Sequence, residues 1–177
     1  MAIFMEEYQM SMSMYSVSVP VFRQILGSLA TILEKAEAHV DAKKIEPDAL
    51  LRARLFPDMF PLLRQVQLAT DFAKGAAARL AGVDVPRYDD VEQDFAGLQA
   101  RLEKTLAFLD SVSREAVDAG AEREVVIGSG ASERHFQGQA YLLHYALPNF
   151  YFHAATAYDI LRHNGLEVGK RDFIGSF

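Results

Sequence analysis

The stretch 136–165 most constrains the fold, because it combines helical periodicity with many aromatic and imidazole side chains. It holds three of the five histidines and four of the seven tyrosines. Apolar residues recur at helical spacing over 139–164, and Gly165 stands where a glycine commonly ends a helix. The stretch is too aromatic for a solvent-side helix and too polar for a core helix alone. It predicts the last helix of a bundle, lining whatever pocket the protein has.

A proline in the middle of this predicted helix affects where its polar residues lie. Pro148 lacks a backbone N–H and its ring presses on the carbonyl of His144, which predicts a kink there. Tyr145, Asn149 and His153 follow one another at i, i+4 steps and share one face. His144 falls on the opposite face of a straight helix and would need the kink to turn inward. The candidate pocket is therefore centred on His153.

Three more amphipathic helices precede this one. The first is predicted over 19–43, with Ser18 as its N-cap. The second is predicted over about 58–80 and the third over about 89–112, each capped by its first residue, an aspartate. Four long helices in a chain of 177 residues predict an all-α four-helix bundle. The apolar stripes of the first and third helices are Phe22, Ile25, Leu26, Leu29, Ile32, Leu33, Ala36 and Val40, and Val91, Phe95, Leu98, Leu102, Leu106 and Leu109.

A short β-hairpin signal separates the third and fourth long helices. Strand-like runs at 122–127 and 133–137 flank the turn sequence GSGAS. No internal repeat or linker divides the chain, so we expect one domain over 1–177. Within it, 1–10 should be a loose leader, and 166–177 should be a tail that packs back on the bundle.

Composition and charge exclude several classes of protein. The net charge is −6 and no basic stripe is present, which argues against nucleic acid as a partner. The chain has no cysteine, and therefore no disulfide, no thiolate nucleophile and no cysteine metal ligand. No apolar run reaches membrane-spanning length, and the acidic N-terminus lacks the basic region of a signal peptide. We therefore expect a cytoplasmic protein with no membrane partner.

A line of polar residues on the second long helix allows two interpretations. Its members are Arg64, Gln67, Asp71 and Lys74, spaced so that they share one edge of the helix. The interpretation we favour is a solvated, salt-bridged face. In the other, Gln67 or Asp71 faces the pocket opposite His153.

Five segments carry a resemblance to a known family: MSMYSVSVPVF, LFPDMFPLLRQVQ, AKGAAARLAGV, YLLHYALPNFYFHAATAYDILRHNG and VGKRDFIG. Over about 11–175 the chain resembles an uncharacterised bacterial domain-of-unknown-function family within the DinB/YfiT-like superfamily of metal-dependent four-helix bundles. The resemblance implies a DinB-like bundle. Metal-binding members of that superfamily include thiol-dependent transferases and isomerases that use zinc or nickel.

The resemblance also implies where a metal would bind. Those members carry one histidine on the second helix and two histidines, i and i+4, on the fourth. His153 matches the second of the pair, while the other two positions fall on Asn149 and near Gln67. Amides are poor ligands for zinc or nickel, so we predict no three-histidine site. A metal bound by His153 would need His144, Asp71 or water as further ligands.

Three functions remain open, and the sequence does not decide whether the protein is an enzyme. The first in order is a pocket around His153 that binds a small molecule, with Tyr145, Asn149, His144, Gln67 and Asp71 as the other candidates. The second is a metal-dependent, thiol-cofactor transferase or isomerase in which His153 is a ligand or general base. The third is a buried polar network that fixes helix packing and has no site.

A homodimer is the expected assembly. Met12, Met14 and Tyr15 precede the first helix without an obvious partner in a four-helix core, and exposed apolar residues of this kind often mark an interface. A two-fold dimer is the commonest solution. The resemblance also implies dimers, since DinB-like bundles often form them. The alternative is that 11–17 cover the open end of the monomer's own core.

Overall fold

The computed structural model describes residues 12–176, which form helices and one small sheet. The elements, in chain order, are α1 (Val19–Lys43), α2 (Pro47–Leu51), α3 (Leu62–Ala81), α4 (Phe95–Ser111), α5 (Arg114–Asp118), β1 (Glu124–Ile127), a 3₁₀ turn (Gly130–Ser132), β2 (Arg134–Gln137), α6 (Gly138–Tyr141), a π-helix (Leu142–Ala146), α7 (Leu147–His163) and α8 (Lys170–Ile174). α6, the π-helix and α7 follow one another without a break, and together they are called the last long helix.

α1, α3, α4 and α7 form the four-helix bundle that the sequence predicts. α3 packs against α4 and α7, and α1 also packs against both. The rings of Phe22 and Phe150, with centroids 4.8 Å apart, join α1 to α7 in an edge-to-face contact. The predicted all-α fold with a hairpin before the last long helix is therefore confirmed. Within residues 12–176, no helix is both long enough and apolar enough to cross a membrane.

The first helix has the predicted bounds, and every residue of its predicted stripe is buried. The predicted role of Ser18 is wrong. It occupies the N-cap position, but its side chain caps no helical N–H. Instead, the buried hydroxyl donates to the carbonyl of Met14 at 2.6 Å. The turn before the helix supplies this nearer acceptor, and it satisfies a hydroxyl that would otherwise be buried without a partner.

The second long helix begins later than predicted. α3 starts at Leu62 with Pro61 at the N-cap position, so Asp58 lies outside the helix and does not cap it. A side chain within the helix contacts the preceding segment instead: the amide nitrogen of Gln65 donates to the carbonyl of Phe60 at 3.0 Å. The C-terminal end is as predicted: Gly82 follows the helix with a φ of 71°, a left-handed conformation that favours glycine.

The third long helix also begins later, at Phe95. The predicted cap, Asp89, is wrong: the cap is Asp94, whose carboxylate accepts the backbone N–H of Gly97 at 2.7 Å. Val91, predicted as the first residue of the apolar stripe, is 73% exposed and precedes the helix. Residues 83–93 form no helix or strand. The acidic side chains of this segment bind an arginine of α4, as described below, and these contacts hold the segment outside the helix.

The hairpin and the start of the last long helix meet at two glycines. β1 and β2 pair in antiparallel register, with Val125 opposite Phe136. Gly138 then lies against the backbone of Gly120, and a Cβ at Gly138 would collide with the Gly120 carbonyl oxygen. Beside this contact, the N–H of Gln139 donates to the carbonyl of Ala121 at 2.9 Å. Glycine is needed at position 138 because two backbones approach each other there.

The segment before α1 is tied to the monomer more firmly than expected. Met14 is 9% exposed. The backbone N–H of Tyr15 donates to a carboxylate oxygen of Asp118 at 2.7 Å, and Arg114 lies over the Tyr15 ring at 4.8 Å. Met14 and Tyr15 therefore have partners within the same chain, and the expectation that they lack them is wrong. The predicted leader at 1–10 lies outside the described residues, and the homodimer stays a prediction.

The glycine contact at 138 leads to a testable prediction. Gly138→Ala should lower the free energy of unfolding by about 2–3 kcal/mol, because the new methyl group would force two backbones apart. Gly27→Ala, in the interior of α1 with nothing within 4 Å of an added Cβ, should raise it by about 0.5–1 kcal/mol. Urea unfolding of both variants measures the pair. A neutral Gly138→Ala variant would contradict this account of the contact.

Candidate functional site

A buried arginine organises the polar residues on one side of the bundle. Arg101, near the middle of α4, has a side chain only 1% exposed. Its Nε donates to Thr70 Oγ1 at 2.7 Å, and its Nη2 donates to Asp71 Oδ1 at the same distance. Its Nη1 donates to Glu92 Oε1 at 2.9 Å, and Asp90 lies 3.2 Å from Nη2. One guanidinium thus joins α4, α3 and the segment 83–93.

The predicted polar line on α3 belongs to this network. Gln67 is 2% exposed; its amide nitrogen donates to Glu92 at 2.7 Å, and its oxygen accepts from Arg64 at 3.1 Å. Lys74 is 6% exposed and pairs with Asp71 at 2.8 Å. The favoured interpretation, a solvated, salt-bridged face, is right about the ion pairs but wrong about solvation at Gln67 and Lys74. Glu92 and Asp90 of the segment 83–93 bind members of the line, while Arg64 and Asp71 stay partly exposed.

Tyr88 packs against the cations of the network. The centroid of its ring lies 4.2 Å from the Lys104 ammonium nitrogen, 4.7 Å from the Lys74 ammonium nitrogen and 5.4 Å from the guanidinium carbon of Arg101. Burial raises the pKa of the Tyr88 hydroxyl above its ordinary value. Burial also acts to raise the pKa of Glu92, but hydrogen bonds from Arg101 and Gln67 outweigh it and leave this pKa below its ordinary value. Glu92 is therefore a stable anion of the network.

His153 is not part of the Arg101 network. It belongs to α7 and faces the start of α3. Its Nδ1 is 2.7 Å from Gln65 Oε1. The amide nitrogen of Gln65 already donates to a carbonyl, so Oε1 is the acceptor and Nδ1 carries the proton. The imidazole stacks on Phe72, with ring centroids 5.5 Å apart and planes 16° apart. Burial, and then the nearby charge of Arg64, lower the pKa of His153, so the neutral ring is favoured.

Gln65, the partner of His153, was not among the predicted site residues. It follows Leu62 by three residues and precedes Ala69 by four, so helical periodicity places it on the buried face of α3. It is 1% exposed. A glutamine on a buried face needs a polar partner, and this requirement is the signal that could have identified it.

The backbone before Pro148 forms a π-helix, whereas the sequence predicts a proline kink. Leu142–Ala146 form a π-helix, in which the N–H of Leu147 donates to the carbonyl of Leu142 five residues earlier. Asn149 donates from its side-chain amide to the carbonyl of Tyr145 at 2.7 Å. Both residues are half-buried, whereas His144 is exposed. The π turn contains one residue more than an α turn, and this extra residue accommodates the proline. The side-chain amide of Asn149 is hydrogen-bonded to the helix backbone.

A cavity of about 260 Å³ lies between α3, the hairpin and the last long helix. The rings around it pack on one another: Tyr145 lies 5.8 Å from Phe72, 5.9 Å from Tyr141 and 5.7 Å from Phe136 between ring centroids. His153 does not line the cavity, but it stacks on Phe72, which does. The lining residues are Leu68, Asp71, Phe72, Arg79, Ile127, Gly128, Tyr141 and Tyr145.

The structure therefore distributes the predicted site residues over separate places. Tyr145 and Asp71 line the cavity. Gln67 lies in the Arg101 network, and Asp71 joins that network to the cavity. His153 lies behind the cavity wall with Gln65, and His144 is on the surface. His135 and His163 are exposed.

The residues at the metal positions implied by the family resemblance do not fit a zinc or nickel site. Both amide atoms of Gln67 are hydrogen-bonded within the Arg101 network, and the side-chain amide of Asn149 is turned to a backbone carbonyl. Of the three positions only His153 offers a nitrogen that these metals prefer. Across residues 12–176, no group of three or more histidine, aspartate or glutamate side chains is arranged to hold a metal ion.

Comparison with known proteins places the chain among DinB-like proteins. Residues 14–174 match the family described as "Domain of unknown function (DUF1993)". A DinB family member protein from Shewanella denitrificans, known from a crystal structure, is 40% identical in sequence. The match covers 92% of this chain and 92% of that chain, with a TM-score of 0.84. No protein with a curated description is similar at a significant level. These similarities confirm the resemblance that the motifs indicate.

The first prediction from the site concerns the buried arginine. Arg101→Met should lower the free energy of unfolding by about 3 kcal/mol, because it leaves Asp71 and Glu92 partly buried without their main counter-charge. Arg52→Met, which removes an exposed ion pair with Asp48, should change it by less than about 0.5 kcal/mol. Urea unfolding at pH 7 measures both. A loss below about 1 kcal/mol for Arg101→Met would contradict the central role of this side chain.

The second prediction concerns the pH dependence of stability. The pKa of His153 is lower in the folded protein than in the unfolded chain, so the unfolded chain takes up the proton first as pH falls. The stability that neutral His153 contributes is complete above about pH 6.5 and is lost as pH falls below that value. His153→Gln should therefore flatten the decline in unfolding free energy between pH 7.5 and about pH 5.5.

His135 provides the opposite control. Hydrogen bonds to Glu124 and Glu133 raise the pKa of His135, so its contribution to stability is present at low pH and lost as pH rises. His135→Gln should leave the decline unchanged or make it steeper. Equal flattening by both substitutions, in denaturant titrations at each pH, would show that burial of His153 is not the cause.

Proposed function

We propose, from the premise that this chain belongs to the DUF1993 family, that the protein binds a small molecule in the cavity between α3, the hairpin and the last long helix. The observation that carries the proposal is the composition of the cavity wall. Three aromatic rings, those of Phe72, Tyr141 and Tyr145, and two aliphatic side chains surround the space, with charged groups from α3. Ligand sites are commonly apolar clefts of this kind with a few polar groups.

Two larger depressions lie on the side of the bundle that holds the arginine network. They flank Tyr88 and have volumes of about 560 and 760 Å³. Charged and polar side chains of 84–94 contribute much of their lining. The arginine network already satisfies several of these charges, which supports a structural role for this side of the bundle. The smaller cavity combines aromatic walls with a position between helices, which is typical of sites in bundles.

The π-helix favours the same location. It lies within the last long helix, and it includes Tyr145 of the cavity wall. π turns inside α-helices occur frequently at functional sites. In this proposal the site does not include His153. The neutral imidazole of His153, hydrogen-bonded to Gln65, stacks on Phe72 and holds that ring in the cavity wall.

A structural role is the second candidate for the residues outside the cavity. Within residues 12–176, every fully buried side-chain nitrogen and oxygen has a hydrogen-bond partner. The Arg101 network and the His153–Gln65 pair are satisfied by the protein itself, which supports packing as their role. A metal-dependent transferase or isomerase gains no comparable support, since the side-chain amides of Gln67 and Asn149, at two of the three implied positions, are already hydrogen-bonded within the protein.

Binding of a neutral single-ring probe tests the proposal. Benzyl alcohol should bind with a Kd of about 1 mM or tighter, as a ligand of this size allows. Titration followed by NMR should give saturable shifts in the methyl signals of Ile127 and the ring signals of Tyr145. Leu68→Trp fills the cavity and should abolish these shifts. Leu63→Trp, at another half-buried leucine of α3 that does not line the cavity, should leave them intact.

Two results would overturn the proposal. One is the absence of saturable shifts at Ile127 and Tyr145 in the folded wild-type protein. The other is equal binding by the Leu68→Trp and Leu63→Trp variants, which would place the probe elsewhere on the surface.

A further inference from the structure

Arg79 contributes a positive charge to the aromatic cavity. It lines the space from the C-terminal half of α3 and is half-buried. Its Nη1 donates to the hydroxyl of Tyr141 at 3.4 Å, a long hydrogen bond, and its guanidinium carbon lies 6.0 Å from the Tyr141 ring centre. Among residues 12–176 it forms no ion pair with a carboxylate.

A glycine makes room for this arginine. Gly75 lies one turn before Arg79 in α3, and a Cβ there would come within 2.6 Å of Arg79 Nη1. Glycine in a helix interior costs about 1 kcal/mol relative to alanine. The side chain of Arg79 thus folds back along α3 over a position that lacks a side chain. This places the guanidinium beside the cavity rather than out in solvent.

The acidic residue of the cavity does not neutralise Arg79. Asp71 also lines the cavity, but its carboxylate pairs with Arg101 at 2.7 Å and with Lys74 at 2.8 Å. It precedes Arg79 by two helical turns, about 12 Å along the axis. The negative charge of Asp71 is thus satisfied within the buried network, and no carboxylate among residues 12–176 pairs with the arginine of the cavity.

We infer that the ligand is an organic anion: a carboxylate attached to an aromatic or similarly flat apolar body. The inference rests on the proposed function, that the cavity binds a small molecule. The guanidinium presents a planar fork of donors that matches a carboxylate, and Tyr141 and Tyr145 line the space that the rest of the molecule would occupy. The positive charge beside the cavity disfavours a cationic ligand.

The test compares isosteric probes that differ in charge. Benzoate, benzyl alcohol and benzylamine, which is protonated at pH 7.5, are titrated into the full-length protein in 50 mM salt. Binding is read from the NMR signals of Ile127 and Tyr145. Benzoate should bind about tenfold more tightly than benzyl alcohol, the increment typical of a hydrogen bond to a charged group. Benzylamine should bind more weakly than benzyl alcohol.

Substitutions at Arg79 assign the preference to one side chain. Arg79→Met should bring benzoate to within about twofold of benzyl alcohol, while Arg79→Lys should retain part of the preference as a point charge without the fork. Arg162→Met, at an exposed arginine of α7 that does not line the cavity, should retain the full tenfold preference. Near-UV circular dichroism of each variant shows whether its tertiary packing is retained.

The outcomes separate this inference from the proposed function. Saturable binding of benzyl alcohol as tight as that of benzoate would overturn the anion inference and leave the small-molecule site standing. Binding of none of the three probes at Ile127 and Tyr145 would overturn both. A benzoate preference that persists in a folded Arg79→Met variant would also overturn the inference. The wild-type comparison remains decisive if Arg79→Met does not fold.

Discussion

The guanidinium of Arg101 is the interaction on which one whole side of this bundle depends. The Arg101 side chain is only 1% exposed. A charge buried to this extent is tolerated because partners from two other parts of the chain surround it. Thr70 and Asp71 come from α3, and Glu92 comes from the segment before α4. The same contacts explain why α4 starts late: residues that could extend the helix instead turn their carboxylates toward the arginine.

This network and the cavity are two parts of one arrangement, linked through α3. Asp71 contributes to both. It pairs with Arg101 and Lys74, so that within the described part of the chain Arg79, beside the aromatic rings, has no carboxylate partner. On the other side of the cavity, the π-helix gives the last long helix an extra residue per turn where Tyr145 faces Phe72. His153 and Gln65 support Phe72 from behind. Packing thus engages the polar groups of the Arg101 network and of the His153–Gln65 pair within the protein, apart from the proposed site beside Arg79.

Helical periodicity predicted the fold well because each long helix buries apolar residues that recur at helical spacing. The stripe of α1 and its bounds followed directly from that spacing, as did Gly82 at the end of α3. Helix starts were harder, because several aspartates in 58–94 could each act as a cap. The structure uses Asp94, while Asp90 binds charged side chains instead. A cap contributes about 1 kcal/mol, whereas leaving the buried Arg101 guanidinium without its carboxylate partners would cost about 3–5 kcal/mol.

By itself the sequence determined the all-α bundle, the hairpin before the last long helix, and the gathering of aromatic residues on that helix. It determined these because periodicity and turn chemistry act between residues near one another in the chain. Only the tertiary structure decided that His153 pairs with Gln65, that Arg101 joins Asp71 to Glu92, and that Arg79 borders the cavity. Partners separated by 88, 30 and 9 residues are chosen by helix packing and by the need to satisfy buried polar groups, which no local pattern records.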